Sequence, residues 1–132
     1  MIKSIIKRQF CCDKNKLWEI ITNNSTYSWR SDLSKIVIVD QTHFIEYDKN
    51  NFPTYFTITK KEKLKEYKFD IENTNLKGNW TGLFTELDNG NIEMTFIEEI
   101  EVNNFIMKIF AKSYLKRQQK RYMSDLEIKL NK

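Results

Sequence analysis

Six short segments with strand-like patterning follow one another between residues 35 and 102, and they constrain the fold most strongly. Residues rich in Asp, Asn and Gly separate them, and the run Asp88–Asn91 contains the Asn-Gly pair typical of a tight hairpin. Connections this short favour antiparallel neighbours. We therefore predict strands at 36–39, 43–47, 55–59, 66–71, 79–87 and 92–102, with turns at 48–51, 73–78 and 88–91.

Three further regions frame these strands. Residues 2–10 alternate in polarity and predict a seventh strand. Asp13 is placed to cap a helix, and a second short helix or turn follows around Tyr27 and Trp29. A long helix is predicted over 104–130, with Asn103 or Asn104 as its N-cap. Its inward stripe consists of Met107, Phe110, Ala111, Tyr114, Leu115, Gln118, Tyr122 and Leu126.

The order β-α-α-β6-α predicts one α+β domain over residues 1–132, because no linker-like stretch divides the chain. A seven-stranded antiparallel sheet twists, so we expect it to curve around the long C-terminal helix. Space between a curved sheet and a helix is a common ligand site. A cavity below about 300 Å³ would instead favour a packed interior or an interaction module.

The composition excludes several classes of protein. With 40% hydrophobic residues and 3 glycines, the chain is neither disordered nor of low complexity. Cys11 and Cys12 are expected to be reduced, since a bridge between adjacent residues is strained. The single histidine, His43, is interpreted as a surface or edge residue, and no metal or cofactor is expected. Without a secretory signal or a long apolar segment, we expect a cytoplasmic protein.

Several degenerate motifs follow one another along essentially the whole chain. They are Leu17–Asn23, Tyr27-x-Trp29-x-x-Asp32, Phe44-x-Glu46, Phe56-x-Ile58-Thr59, Tyr67-x-Phe69, Gly78-x-Trp80 and Met94–Glu98. This ordered set resembles the SRPBCC, or START-like helix-grip, superfamily and is most similar to small bacterial members of polyketide cyclase/dehydrase type. The resemblance implies a cavity between sheet and C-terminal helix that binds hydrophobic or amphipathic small molecules. Asn103-Asn104 departs from the Asn-Pro common in related chains.

Glu98 is the main candidate for chemistry. Strand parity places it with Phe96 and Ile100 on the apolar face, where lost hydration raises the pKa of a carboxyl unless a donor compensates. A raised carboxyl pKa suits acid–base catalysis. The alternatives are a structural buried polar group, an ion pair with Arg8 of the first strand that keeps Glu98 ionised, or a β-bulge that turns it outward.

The other candidate ligand-binding residues are aromatic or amphipathic. Trp80 lies between Gly78 and Gly82, which leave room beside its ring, and it either floors a pocket or packs in the core. Trp29 either lines the cavity entrance or locks the short helix onto the sheet. The remaining candidates, each of which could equally be an ordinary core residue, are Met94, Phe96, Phe110, Tyr114, Gln118 and Tyr122.

The sequence leaves three functions open. The first is binding of a lipid, polyketide-like or aromatic molecule, oriented by Glu98, Gln118 and a tyrosine. The second is a cyclase, aromatase or dehydratase in which Glu98 or a tyrosine moves protons. The third is an interaction module for RNA, the ribosome or a membrane, because residues 108–132 carry a net charge of +6. A solvated helix face explains the same charges. No DNA partner is expected, and the chain is a monomer or a homodimer.

Overall fold

The computed structural model describes residues 1–131. Strand β1 (Ile2–Phe10) and helix α1 (Lys14–Thr22) are followed by six strands and helix α2 (Phe105–Leu130). The six strands are β2 (Leu33–Ile38), β3 (His43–Asp48), β4 (Pro53–Glu62), β5 (Glu66–Glu72), β6 (Leu76–Glu86) and β7 (Ile92–Val102). The α+β class and the seven predicted strands are confirmed, and β1 and β7 have the predicted bounds.

All seven strands form one antiparallel sheet in the order β1-β7-β6-β5-β4-β3-β2. Only β1 departs from sequence order, because it crosses to pair with the last strand. Register shifts between Leu33 and Lys35 and between Ile58 and Lys60 mark irregularities of the kind that bend a strand. Side chains from β3 to β7 line one cavity together with α2, so the sheet curves around this helix as expected.

Both helices begin at the predicted caps. The carboxylate of Asp13 accepts from the backbone N–H of Asn15 at 2.8 Å. The side chain of Asn104 accepts from the N–H groups of Ile106 at 2.8 Å and Met107 at 3.3 Å. Within residues 1–131, no helix is both long enough and apolar enough to cross a membrane.

The segment between α1 and β2 corrects one prediction. Of the short helix or turn expected around Tyr27 and Trp29, the structure has turns, so the element order β-α-α-β6-α contains one helix too many. The backbone N–H of Ser25 donates to the side chain of Asn23 at 3.1 Å, and that of Arg30 donates to the Tyr27 carbonyl at 2.9 Å. Short polar side chains compete in this way for backbone groups and favour turns over helices.

The predicted turn at 73–78 is also shorter than expected. The Asn73 side chain accepts from the N–H groups of Asn75 at 2.8 Å and Leu76 at 3.0 Å, which closes the turn early. Strand β6 therefore begins at Leu76, and Gly78 lies inside it.

Helix α2 is fixed to β1 by polar contacts. The buried Ser4 hydroxyl donates to Gln119 Oε1 at 2.8 Å, and Gln119 Nε2 donates to the Ser4 carbonyl at 2.9 Å. Nearer the C-terminus, Arg8 forms an ion pair with Glu127 at 3.1 Å. The helix residues buried against the sheet are Ala111, Leu115, Gln119, Met123 and Leu126. The helix is thus held over the β1 edge, and its contacts leave space over the middle strands.

The interior has two ends of different character. What we call the closed end contains Leu17, Trp18, Tyr67, Phe84, Met94, Met123 and Leu126, all of them buried. It lies where β1 and β6 finish and β7 begins, under the C-terminal half of α2. What we call the open end lies under the middle and first turns of α2 and contains Arg30, Glu46, Glu98, Tyr114 and Gln118.

Candidate functional site

A cavity of about 170 Å³ lies between the inner face of the sheet and α2 at the open end. Its apolar walls come from β4 to β7 and from α2, and they include Phe56, Phe69, Trp80, Phe96 and Leu115. Its polar groups come from the turn before β2, from β3 and β7 and from α2. These polar residues include Arg30, Asp32, Glu46, Glu98, Tyr114, Gln118 and Tyr122.

A wider groove of about 960 Å³ adjoins this cavity. It lies between the first half of α2 and the turn that joins β3 to β4, and both spaces are lined by Asp32, Glu46, Tyr114 and Gln118. By itself the cavity is below the about 300 Å³ under which a packed interior or an interaction module would be favoured, whereas the adjoining groove falls within the usual range of ligand sites. The site is therefore a small cavity, called the chamber below, that opens into a larger groove.

Stacked aromatic rings form the floor of the cavity. Trp80 stacks on Phe69 with centroids 4.7 Å apart and planes 3° from parallel, and the centroid of Phe96 lies 4.8 Å from that of Trp80. A β-carbon added to Gly82 would lie 2.7 Å from the indole ring, so this glycine makes room for Trp80 as predicted. Gly78 has a different role from the predicted one, because a side chain there would collide with the β7 backbone at Glu99.

Arg30 holds two carboxylates together at the cavity wall. Its guanidinium donates to both oxygens of Asp32 at 3.1 Å, and to the two oxygens of Glu46 at 3.3 and 3.4 Å. Burial alone would lower the pKa of Arg30, but Glu46 and Asp32 raise it above its ordinary value and keep the group charged. Burial raises the pKa of Glu46, and Arg30 opposes that effect. In the described part of the chain, no three His, Cys, Asp or Glu side chains are grouped to hold a metal ion.

Glu98 faces the cavity from β7, as strand parity predicted. Strand β7 pairs with β1 and β6 without a register shift, which excludes the bulge that would have turned Glu98 outward. The alternative of an ion pair between Glu98 and Arg8 is wrong. Ser4 lies opposite Glu98, and Arg8 lies opposite Met94, about 13 Å farther along the strand at about 3.3 Å per residue. Arg8 pairs with Glu127 instead.

The pKa of the Glu98 carboxyl is raised because the group is partly buried and receives no hydrogen bond from residues 1–131. Burial raises its pKa to about 7, the nearby Glu46 adds to this rise, and Arg30 partly opposes it. No hydrogen bond from residues 1–131 stabilises its charged form. Both protonation states are therefore populated near neutral pH, so Glu98 can donate or accept a proton or a hydrogen bond in the cavity.

Tyr122 is the main hydroxyl of the site. Burial raises the pKa of its phenol, so it stays protonated and can donate. Its ring centroid lies 5.0 Å from that of Phe96, and the Arg30 guanidinium lies 4.7 Å from the centre of the Tyr122 ring. Tyr122 thus joins the aromatic floor to the Arg30 cluster.

The structure brings together most of the candidate residues from the sequence. Lining the cavity are Trp80, Phe96, Glu98, Tyr114, Gln118 and Tyr122. Phe110 lines the outer groove instead and is 63% exposed. Met94 shares the inward parity of β7, but it lies at the closed end, fully buried and away from the cavity.

Trp29 and His43 lie outside the cavity. The Trp29 indole N–H donates to the Thr26 carbonyl at 3.1 Å, and its ring centroid lies 5.2 Å from that of Tyr122. These contacts fit the locking alternative for Trp29, here with a turn in place of a helix. His43 is exposed at the start of β3 and bonds Asp40 at 2.8 Å. Cys11 and Cys12 are free thiols.

Several polar residues of the site, including Arg30, Asp32 and Glu46, were not among the sequence candidates. Glu46 has the same parity as Phe44 on β3, so the signal that placed Glu98 inward was also present for Glu46. Arg30 lies in an irregular turn, where no periodicity indicates which way a side chain points. Arg30 reaches Glu46 because this turn packs beside β3, a long-range contact that the sequence does not indicate.

Solved structures with this architecture identify the fold. A START superfamily protein from Mycobacterium smegmatis superimposes with a TM-score of 0.87 at 8% identity, over 98% of this chain and 97% of that chain. A conserved protein from Geobacillus kaustophilus gives a TM-score of 0.85 at 8% identity, over 98% and 95% of the two chains. The chain has the START-like helix-grip fold. No family model and no curated protein sequence matches it.

A third solved structure has a similar architecture. The di-domain ARO/CYC BexL from the BE-7585A biosynthetic pathway superimposes with a TM-score of 0.80 at 5% identity, over 96% of this chain and 45% of that chain. Identities this low establish the fold alone, and one fold supports many functions. The function of this START-like chain has to be argued from its own cavity.

Proposed function

We propose that this protein binds a hydrophobic or amphipathic small molecule, of lipid, polyketide-like or aromatic type, between the sheet and α2. The observation that carries the proposal is a cavity with an aromatic floor that adjoins an open groove. Apolar walls with a few convergent polar groups are the usual composition of a ligand site. The fold supports the same function, since START-like proteins typically bind hydrophobic ligands.

The size of the cavity limits what enters it. An apolar cavity of about 150 Å³ engineered in another protein holds a benzene molecule. The chamber here, about 170 Å³, therefore accepts one ring or a short chain, and the rest of a larger ligand lies in the groove against Phe110 and Met107. Burying about 100 Å² of apolar ligand surface contributes roughly 2.5 kcal/mol before association costs, so the groove must contribute to affinity.

A fluorescent apolar probe tests this proposal. We expect 1-N-phenylnaphthylamine to bind the purified protein with increased fluorescence, and Gln118→Trp to weaken binding at least tenfold by filling the junction of cavity and groove. Lys112→Trp places the same side chain at an exposed position of α2 and serves as the control. Equal binding by both variants, or no binding by the unchanged protein, would contradict the proposal. Native mass spectrometry of protein from its own host would identify the resident ligand.

A second function is supported by the exposed start of α2. Phe105, Ile106, Ile109 and Phe110 are between 63% and 77% exposed. Residues 105–121 contain six basic residues and no acidic one. Large apolar side chains beside basic ones are typical of helices that lie on anionic bilayers, whereas a solvated face or an RNA contact does not require the apolar groups. We propose that this segment docks on an anionic membrane surface, next to the groove.

Vesicle sedimentation tests the membrane contact. We expect binding to phosphatidylcholine vesicles that contain phosphatidylglycerol, weak binding without the anionic lipid, and at least a tenfold loss in the double variant Phe105→Ser with Ile109→Ser. The matched control replaces Ile38 and Val39, which are 50% and 59% exposed on the far edge of the sheet, by serine. Equal partitioning of the two double variants would exclude α2 as the docking element.

A further inference from the structure

We infer that the ligand carries a protonated amine at the end that enters the cavity, and that this amine pairs with Glu98. The inference rests on the proposed ligand-binding function and specifies the chemical class of the ligand.

The charge balance of the cavity supports a cation. Three carboxylates line it, from Asp32, Glu46 and Glu98, and they face one guanidinium, that of Arg30. Arg30 already makes four hydrogen bonds to Asp32 and Glu46. Glu98 is left without a donor among residues 1–131. A partly buried carboxylate without a partner has lost part of its hydration, so a donor brought by the ligand relieves that cost, and an ammonium group relieves more of it than a neutral donor.

The aromatic residues beside Glu98 fit the same ligand. Trp80 lies directly opposite Glu98 on the neighbouring strand β6. The ring centroids of Trp80, Phe96 and Tyr122 are separated by 4.8, 5.0 and 6.3 Å, so three rings border the space next to the carboxylate. Aromatic faces attract ammonium groups, more strongly when water is excluded.

An anionic head group does not fit this chamber. It would lie beside Glu46 and Glu98, and Arg30, the only cation that residues 1–131 bring to the chamber wall, is already occupied. Other cations line the outer groove, where Arg117 and Arg121 extend from α2. This distribution of charged side chains favours a ligand whose cationic end lies in the chamber and whose apolar remainder lies in the groove.

A matched pair of probes tests the inference. 4-Phenylbutylamine and 4-phenylbutan-1-ol share a carbon skeleton and differ in the charge of the head group. In ¹H–¹⁵N NMR titrations at pH 7.5, we expect the unchanged protein to bind the amine at least tenfold more tightly than the alcohol. Glu98→Gln keeps the size of the side chain and removes its charge, and we expect it to reduce the ratio to about one while the alcohol affinity changes less than threefold.

Glu99→Gln is the control, because Glu99 is the next residue of β7 and lies on the opposite face of the sheet. It should leave the preference for the amine intact. An alcohol that binds the unchanged protein as tightly as the amine, or a preference that survives in Glu98→Gln, would overturn the inference and leave the proposed function standing. If neither probe nor 1-N-phenylnaphthylamine binds, both the inference and the proposed function are wrong.

Discussion

The closed end and the open end of the interior use similar aromatic residues for different purposes. At the closed end, Trp18 packs edge-on to Phe84 with centroids 4.9 Å apart, and Met94 and Met123 have no exposed surface. At the open end, the same sheet and the same helix enclose a cavity with Arg30 and three carboxylates. We conclude that dry packing at one end stabilises the fold and permits a polar, hollow site at the other.

The change from one end to the other follows the composition of α2. Met123 and Leu126 are apolar and fully buried, whereas Tyr114 and Gln118, about two turns earlier, are amphipathic and face the cavity. The two reciprocal hydrogen bonds of Ser4 and Gln119 lie between these regions. They fix the rotation of the helix at the point where its packing gives way to the site.

The variant with the largest expected effect, Arg30→Met, tests whether the open end also contributes to stability. Arg30→Met leaves Asp32 and Glu46 as partly buried carboxylates without their cation, and we expect a loss of about 3–5 kcal/mol in the free energy of unfolding at pH 7.5. The loss should be smaller at pH 5, because burial raises the pKa of Glu46 and a protonated carboxyl needs no cation.

Urea unfolding measures both values for Arg30→Met. Arg117→Met, at an exposed position of α2, is the control and should change stability by less than about 0.5 kcal/mol. A loss below about 1 kcal/mol in Arg30→Met would mean that the buried cluster matters only for the ligand.

The next prediction compares one helix residue from each end. Met123→Ala opens a cavity in the closed end and should cost about 2–5 kcal/mol. Tyr114→Ala removes a larger side chain, but that side chain is 45% exposed at the cavity mouth, so we expect a loss below about 1 kcal/mol. Urea unfolding of the two variants side by side is the measurement, and equal losses would refute the division into two ends.

The last prediction concerns Glu98, and its expected effect has the opposite sign. Its pKa in the folded protein is about 7, above the value near 4.5 of an unperturbed carboxyl, so the folded state holds the proton over this interval. Stability due to this group is therefore fully present below about pH 4.5 and is lost as the pH rises through 7. We expect Glu98→Gln to be more stable than the unchanged protein by about 1–3 kcal/mol at pH 8.5 and equal to it at pH 4.

Unfolding curves across this pH range test the Glu98 prediction, with Glu99→Gln as the outward-facing control. A difference between Glu98→Gln and the unchanged protein that does not vary with pH would show that the carboxyl is solvated in the folded state.

Local patterns predicted the fold well because they reflect local causes. The alternation of apolar and polar residues along β7 predicted its bounds and the inward direction of Glu98. Short polar side chains predicted the N-caps of both helices. The same short-range chemistry also explains the main error in element order. The segment around Tyr27 was predicted as a short helix or turn and counted as a helix in the element order, although its Asn, Ser and Thr side chains favour turns.

The site was harder to predict because it depends on long-range pairing. The partner of Arg8 was decided by the register between β1 and β7, which no local pattern specifies. The sequence predicted one inward amide on α2, that of Gln118, but the amide of Gln119 is inward too. Consecutive helix residues point about 100° apart, and the hydrogen bonds between Gln119 and Ser4 of β1 select the rotation of the helix. Arg30 and Glu46 are 16 positions apart and meet only in the folded chain.

Gly82 has a consequence for how such a site can change. A β-carbon at position 82 would lie 2.7 Å from the indole of Trp80, so a larger residue there displaces the ring from the floor of the chamber. The present floor therefore depends on a glycine at this position. Substitutions at Tyr114 and Gln118 on the opposite wall change the room for a bulkier or slimmer guest without touching this contact.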